Sequence, residues 1–244
     1  MNTFVLDEIA FQPDLPRLLK RLHVKEGRAY AGELERLAAE AQAVARPRAL
    51  YKLALIESRD DREVVIDGTT LTSRVLRVNL ALAHRVFPYV VTCGVELEDW
   101  SRSVDDALYR FWADTIKELA LFSAVEALTE HLAARYRLGR TSTMSPGALE
   151  DWPIQEQRAL FAILGDTRGT IGVELSESLL MIPTKSVSGI RFPTEESFES
   201  CQLCPRENCP GRRAPYDETL YERKYRMNHA ARNTDPFHTL GLTS

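Results

Sequence analysis

Residues 170–192 read TIGVELSESLLMIPTKSVSGIRF. Apolar and polar residues alternate through much of this stretch, which is the spacing of half-buried strands, while Pro183 and Gly189 argue against a continuous helix. The expectation is a set of short strands around a tight connection, with Gly189 placed where another part of the chain approaches closely. Ser186 and Ser188 are candidate ligand contacts, although small hydroxyls beside a glycine usually serve the local backbone. Lys185 is either a solvent-facing side chain or an anion contact.

Upstream, RTSTMSPGALEDWPIQEQRALFAILGD (residues 140–166) predicts an extended segment, a turn at Pro146-Gly147 and a short helix that Gly165 terminates. From about Val95 to Leu138 runs the longest helical pattern, too long for one ordinary globular helix, so a kink or break is expected inside it. Its first half is acidic and its second half is apolar enough to cross a core. Trp100, Tyr109, Phe111, Trp112 and Phe122 along it are read as packing residues. Before it come a short strand at FPYVVT and a helical stretch at SRVLRVNLALAHRV. Earlier still, ALYKLALIES and REVVIDGTTL read as strands, with Asp67-Gly68 as the turn between them or just after the second, and helices fill Pro13 to about Ala45. Helices and strands are thus mixed along the chain. The expected organisation is one domain over 1–198, with a Cys-rich segment over 199–244 packed on it as a metal-binding appendix.

The stretch 140–192 resembles a known family. Ser145-Pro146-Gly147, then DWPIQEQRALFAILG, then Ile171, Gly172, Leu175, Ser176, Glu177, Ser178, Met181, Pro183, Ser186, Val187, Ser188 and Gly189 are similar to the activation domain of cobalamin-dependent methionine synthase. Its pattern there is IG-x-x-L-[ST]-E-S followed by M-x-P-x-x-SVSG. The chain looks like the small stand-alone relatives of that domain, which lack the substrate-binding modules of the full enzyme. It implies a C-shaped α+β fold around a twisted antiparallel sheet. It also implies binding of S-adenosylmethionine and docking on a corrinoid module, so that cob(II)alamin is reduced and remethylated.

The residues that the resemblance nominates for the ligand are Ser145, Pro146, Gly147, Ser186, Ser188 and Gly189, with Arg140 and Lys185 as cations. One departure counts against S-adenosylmethionine. The family's Arg-x-[Ala/Ser]-Pro-Gly-Tyr turn is here Thr143-Met144-Ser145-Pro146-Gly147-Ala148, without the guanidinium that would pair a carboxylate or the tyrosine that would stack. Arg140 lies three positions upstream of the missing arginine.

Composition narrows the class. Hydrophobic content of 44%, 27% charged residues and a net charge of -4 suit a globular protein with its own core, and give no reason to expect nucleic acid or an anionic membrane as partner. The start lacks a signal-type pattern, and the reading is cytoplasmic. In a reducing compartment, clustered cysteines point to metal or redox work rather than disulfides.

Three of the 4 cysteines stand in CQLCPRENC, as Cys201, Cys204 and Cys209. This C-x2-C-x4-C loop, stiffened by Pro205 and Pro210, offers soft ligands suited to zinc or an iron–sulfur cluster. Cys93 is the expected distant fourth ligand. It precedes a helix start that would favour its thiolate, beside Gly94, which would admit a bulky cluster. A 4Fe-4S cluster is preferred, with Arg206, Arg212 and Arg213 offsetting its charge. Zinc is the alternative, with His229 and His238 as further ligands.

Protein clusters reach roughly -700 mV, low enough for an uphill reduction of cob(II)alamin. The expected function is therefore a redox activation partner of a corrinoid-dependent methyltransferase, not a methyltransferase itself, served by a ferredoxin-type donor. None of the 5 histidines stands in Asp-x-His-x-x-Gly, so the cobalamin belongs to the partner. The acidic helix and the SVSG face are the expected docking surfaces. Two alternatives stand: an S-adenosylmethionine-binding module pinned by structural zinc, and a non-redox assembly factor for a corrinoid protein.

Overall fold

Strand β6 (Arg85–Thr92) organises the molecule, because its side chains alternate between two cores. Phe87, Tyr89, Val91 and the following Cys93 enter one core, while Val86 and Val90 enter the other. Neighbouring β2 (Arg48–Lys52) divides in the same way, Ala49 and Tyr51 against Leu50. A period of two lets one strand serve both faces of a sheet. The computed structural model describes residues 3–25, 27 and 29–226.

One edge of β6 takes β2 and, beyond a break at Leu53, β3 (Ala54–Arg59); the other takes β10 (Ser186–Pro193). β1 (Thr3–Leu6) extends the sheet beyond β2, and β7 (Thr141–Met144) extends it beyond β10. β4 (Glu63–Ile66) and β5 (Thr69–Thr72) continue from β3. All these pairings are antiparallel, as predicted. The turn at Asp67-Gly68 falls inside REVVIDGTTL and splits that expected strand into β4 and β5, with φ of 47° and 75°, the pair of positive angles that a two-residue hairpin demands.

The first face is covered by α1 (Leu15–Arg21), α2 (Ala29–Val44), α4 (Val95–Arg102) and α5 (Ala107–Tyr136). The expected break in the long helix falls between α4 and α5, where the Asp106 carboxylate accepts hydrogen bonds from the amides of Leu108 and Tyr109 and starts a new helix. Trp112, Ile116, Ala120, Ala124, Leu128 and Leu132 then recur every four residues as the buried stripe of α5. Trp112 packs as expected, and Trp100 and Tyr109 lie partly buried against the same core. Phe111 and Phe122 are corrected: they stand off the stripe and are 62% and 46% exposed.

The second face is covered by α3 (Arg74–Asn79), α6 (Gln157–Leu164), α7 (Thr167–Ile171) and the chain beyond Phe198. α3 is shorter than the apolar spacing suggested. Its amides beyond Leu80 turn to carbonyls three residues back, at Ala81 and Ala83, and the chain enters β6. α6 ends at Gly165, as read from the sequence, with φ of 83°. α7 was not expected; Asp166 caps it by accepting from the Gly169 amide.

Phe198, Leu220 and Tyr225 belong to this second core, and the Tyr225 hydroxyl donates to Asn79 Oδ1 at 2.9 Å. Burial of side chains of this size stabilises by about 1.5–3 kcal/mol each. No helix among the described residues is long and apolar enough to cross a membrane.

Candidate functional site

Between the end of β7, the start of β10 and the intervening hairpin lies a groove of about 610 Å³. The hairpin pairs β8 (Glu174–Leu175) with β9 (Met181–Ile182). Its motif serines act on the hairpin itself. Ser176 Oγ accepts the Leu180 amide at 3.0 Å and lies 3.0 Å from Ser178 Oγ. Arg158 donates to the Glu177 carbonyl at 2.8 Å, tying the hairpin to α6.

Ser145, Pro146, Ser186 and Ser188 line the groove, brought together from two stretches separated by some forty residues of chain. Ser186 is engaged locally, 2.7 Å from the Pro183 carbonyl and 2.9 Å from Thr92 Oγ1. Gly147 and Gly189 shape the site without lining it. A Cβ on Gly189 would lie 2.6 Å from the Met144 carbonyl and 2.7 Å from Ser145 Oγ, so glycine is what allows β7, β10 and Tyr89 to meet here. A Cβ on Gly147, whose φ is 81°, would lie 2.8 Å from Ile154 Cδ1.

The two nominated cations are corrected. Arg140 donates to the Glu195 carbonyl at 2.8 Å and lines a different hollow with Asn79 and Lys224. Lys185 pairs with Asp114 at 2.7 Å, outside the groove.

Arg102 and Gln157 are among the lining residues that the sequence reading did not nominate. Arg102 sits at the groove from α4, paired with Asp99 at 3.1 Å. Gln157, 2% exposed at the start of α6, donates from Nε2 to Ser188 Oγ at 3.3 Å, and its Oε1 has no partner. Gln157 lies inside the resembling segment DWPIQEQRALF, but a lone glutamine on a short helix reads as solvated.

Behind the groove, two carboxylates of the acidic helix are held by cations of the chain itself. Lys117 Nζ lies 3.0 Å from Glu98 Oε2, and both side chains are only 7% exposed. Thr184, which lines the groove, contacts the same oxygen through its amide and hydroxyl. Burial pushes Glu98 up, but the hydrogen bonds and charge of Lys117, with those of Thr184, outweigh it and leave the carboxyl below its ordinary value. Glu96 is likewise spent internally, on Arg48 at 2.6 Å.

The four thiols do not converge. Cys93 is fully buried in the first core, whereas Cys204 packs against the second. The Cys93 amide donates to the Lys185 carbonyl at the start of β10, while the Cys-rich segment follows the other end of that strand, at Pro193. Burial pushes the Cys93 thiol up to about 12, opposite to the expected helix-start effect. The backbone that comes close to Gly94 is the Arg46 carbonyl, which a Cβ would approach to 2.3 Å.

Within the C-x2-C-x4-C loop it is carbonyls that gather. The Arg212 guanidinium donates to the carbonyls of Cys201 and Cys204 at 3.1 Å each, to Ala214 at 3.2 Å and to Arg206. Among the described residues no three Cys, His, Asp or Glu side chains stand together as a metal requires, so the donor set does not fit a bound cluster or zinc as arranged. His229 and His238 lie outside the described residues.

Comparison with protein-family models and with curated proteins finds no match. Among solved structures, the MetH reactivation domain bound to AdoHcy is similar over 82% of this chain and 80% of that chain, with a TM-score of 0.54 and 14% sequence identity. The resemblance read from residues 140–192 therefore extends to the architecture as a whole: this chain has the fold of the MetH reactivation domain.

Proposed function

We propose that this chain is a reactivation module for a corrinoid-dependent methyltransferase carried on a partner protein, and that the groove at Ser145 and Ser188 holds an S-adenosyl ligand. The observation that carries this reading is the convergence of Ser145, Pro146, Ser186 and Ser188 on one groove, in a fold shared with a domain whose structure contains AdoHcy. The wall is mostly apolar, from Ile154, Leu180, Met181 and Val187, with polar groups at a few points, as small-molecule sites usually are. Arg102 offers the groove a cation where the Arg-x-[Ala/Ser]-Pro-Gly-Tyr turn lacks one. In reactivation, one electron from a donor outside this chain would reduce the partner's cob(II)alamin to cob(I)alamin, which would take the methyl group of S-adenosylmethionine and leave S-adenosylhomocysteine. No cluster chemistry is assigned to Cys201, Cys204 and Cys209, whose loop is held by Arg212.

Calorimetry with S-adenosylhomocysteine tests the ligand. Saturable binding at one site is expected, and no heat at millimolar ligand removes it. Docking is tested by adding the chain to the cobalamin-binding fragment of a methionine synthase loaded with cob(II)alamin. A change in the corrinoid absorption spectrum is expected, and an unchanged spectrum with no co-elution removes the partner.

A further inference from the structure

We infer that Gln157 is the residue that reads the ligand, its Oε1 accepting a hydrogen bond from an uncharged N–H group on a flat apolar body seated in the groove. The inference rests on the ligand reading above and goes beyond it by naming the chemistry of recognition.

A buried carbonyl oxygen without a donor costs about 1–3 kcal/mol, and native proteins rarely carry one without a purpose. Among the described residues only three side chains hold such an orphan atom, and of these Gln157 alone lines the groove. Its Nε2 is engaged by Ser188 Oγ at 3.3 Å, and Ser188, 3% exposed, is fixed on β10. In this arrangement Oε1 is the unsatisfied end of a side chain that lines the groove.

The surroundings select the donor. No Asp or Glu lines the groove among the described residues, so an ammonium group at Gln157 would lack a counter-charge in a largely apolar wall. A neutral amine on a heteroaromatic ring meets both conditions: its ring packs against Ile154, Met181 and Val187, and its N–H reaches Oε1. Among the described residues Arg102 is the only charged one on the lining, which sets any anionic end of the ligand toward α4. For an S-adenosyl compound this places the exocyclic amine of adenine at Gln157 and the amino-acid carboxylate toward Arg102.

The test compares three nucleosides on the full chain by calorimetry or competition: adenosine, purine riboside, which lacks the exocyclic amine, and inosine, which presents an acceptor there. S-adenosylhomocysteine is titrated in parallel. Adenosine is expected to bind at least about tenfold more tightly than either analogue, the loss that follows when a site built for a donor is offered none. Gln157→Leu is expected to level the three affinities, and because the nucleoside series uses the native chain, it stands even where that variant fails to fold.

Equal binding of the three by the native protein overturns the inference while leaving an S-adenosyl ligand in place if S-adenosylhomocysteine still binds. Preference for inosine overturns it as well, since Nε2 would then face the groove. Discrimination among nucleosides without S-adenosylhomocysteine binding supports the role of Gln157 and removes the larger ligand. No binding by any of the four overturns both.

Discussion

Lys117 on α5 holds Glu98 on α4 at 3.0 Å in a pair that solvent barely reaches, and Thr184 at the edge of the groove hangs on the same carboxylate oxygen. Removing one partner of such a pair leaves an uncompensated buried charge, so Lys117→Met should cost about 3–5 kcal/mol in urea denaturation. Lys117→Met combined with Glu98→Gln should recover part of that loss. A single-variant cost below about 1 kcal/mol would show that the pair is solvated.

The same pair sets a pH dependence. Glu98 has a folded value below its unfolded one, so its contribution is complete above the ordinary glutamate value of about 4.3 and is lost as pH falls through the lower folded value. Denaturation midpoints of the native chain should drop on acidification below about pH 4.3. The drop should be smaller in the double variant, and equal drops would assign the acid sensitivity to other carboxylates.

Gly189→Ala should destabilise by more than about 2 kcal/mol, because the new Cβ meets the Met144 carbonyl and Tyr89 rather than a flexible side-chain end. Gly139→Ala is the control. Nothing lies within 4 Å of a Cβ there, and its effect should stay within about 0.5 kcal/mol. Thermal melts of the two variants side by side measure the contrast.

Thiol labelling separates the cysteines. Cys93 is buried with its thiol pushed up to about 12, while Cys201, Cys204 and Cys209 are partly exposed. An aromatic disulfide reagent at pH 8 should modify those three in the native protein and reach Cys93 only after unfolding. The raised thiol also contributes stability that is complete below the unfolded cysteine value of about 8.5 and is lost as pH rises toward the folded value. Fast labelling of Cys93 in the native state would place it outside the core.

Arg212 donates to the carbonyls of Cys201, Cys204, Arg206 and Ala214, so one guanidinium closes the loop. Arg212→Ala should raise the labelling rate of its three cysteines severalfold and open 201–214 to limited proteolysis, while leaving Cys93 protected. Arg212→Lys should rescue little, because an ammonium lacks the planar fork of five donors. Unchanged proteolysis would show that the prolines alone hold the loop.

Much of this architecture was legible in local patterns. Asp67-Gly68 marked its hairpin, Gly165 its helix end, and the four-residue recurrence from Trp112 to Leu132 the buried face of α5, because each is set by backbone geometry within a few residues. The likeness of residues 140–192 to a reactivation domain carried the fold as well.

What tertiary structure alone settled is which distant groups share a neighbourhood. Spacing suggested that Cys93 would join Cys201, Cys204 and Cys209, yet strand alternation sends Cys93 into the core under α5 and Arg212 takes the middle of the loop. The sequence nominated Arg140 and Lys185 for the ligand, whereas Arg102 and Gln157 line the groove. A chain writes its turns and faces in neighbouring residues, but a site is made by side chains from separate strands and helices. Their meeting depends on sheet register and packing, which no short window of sequence contains.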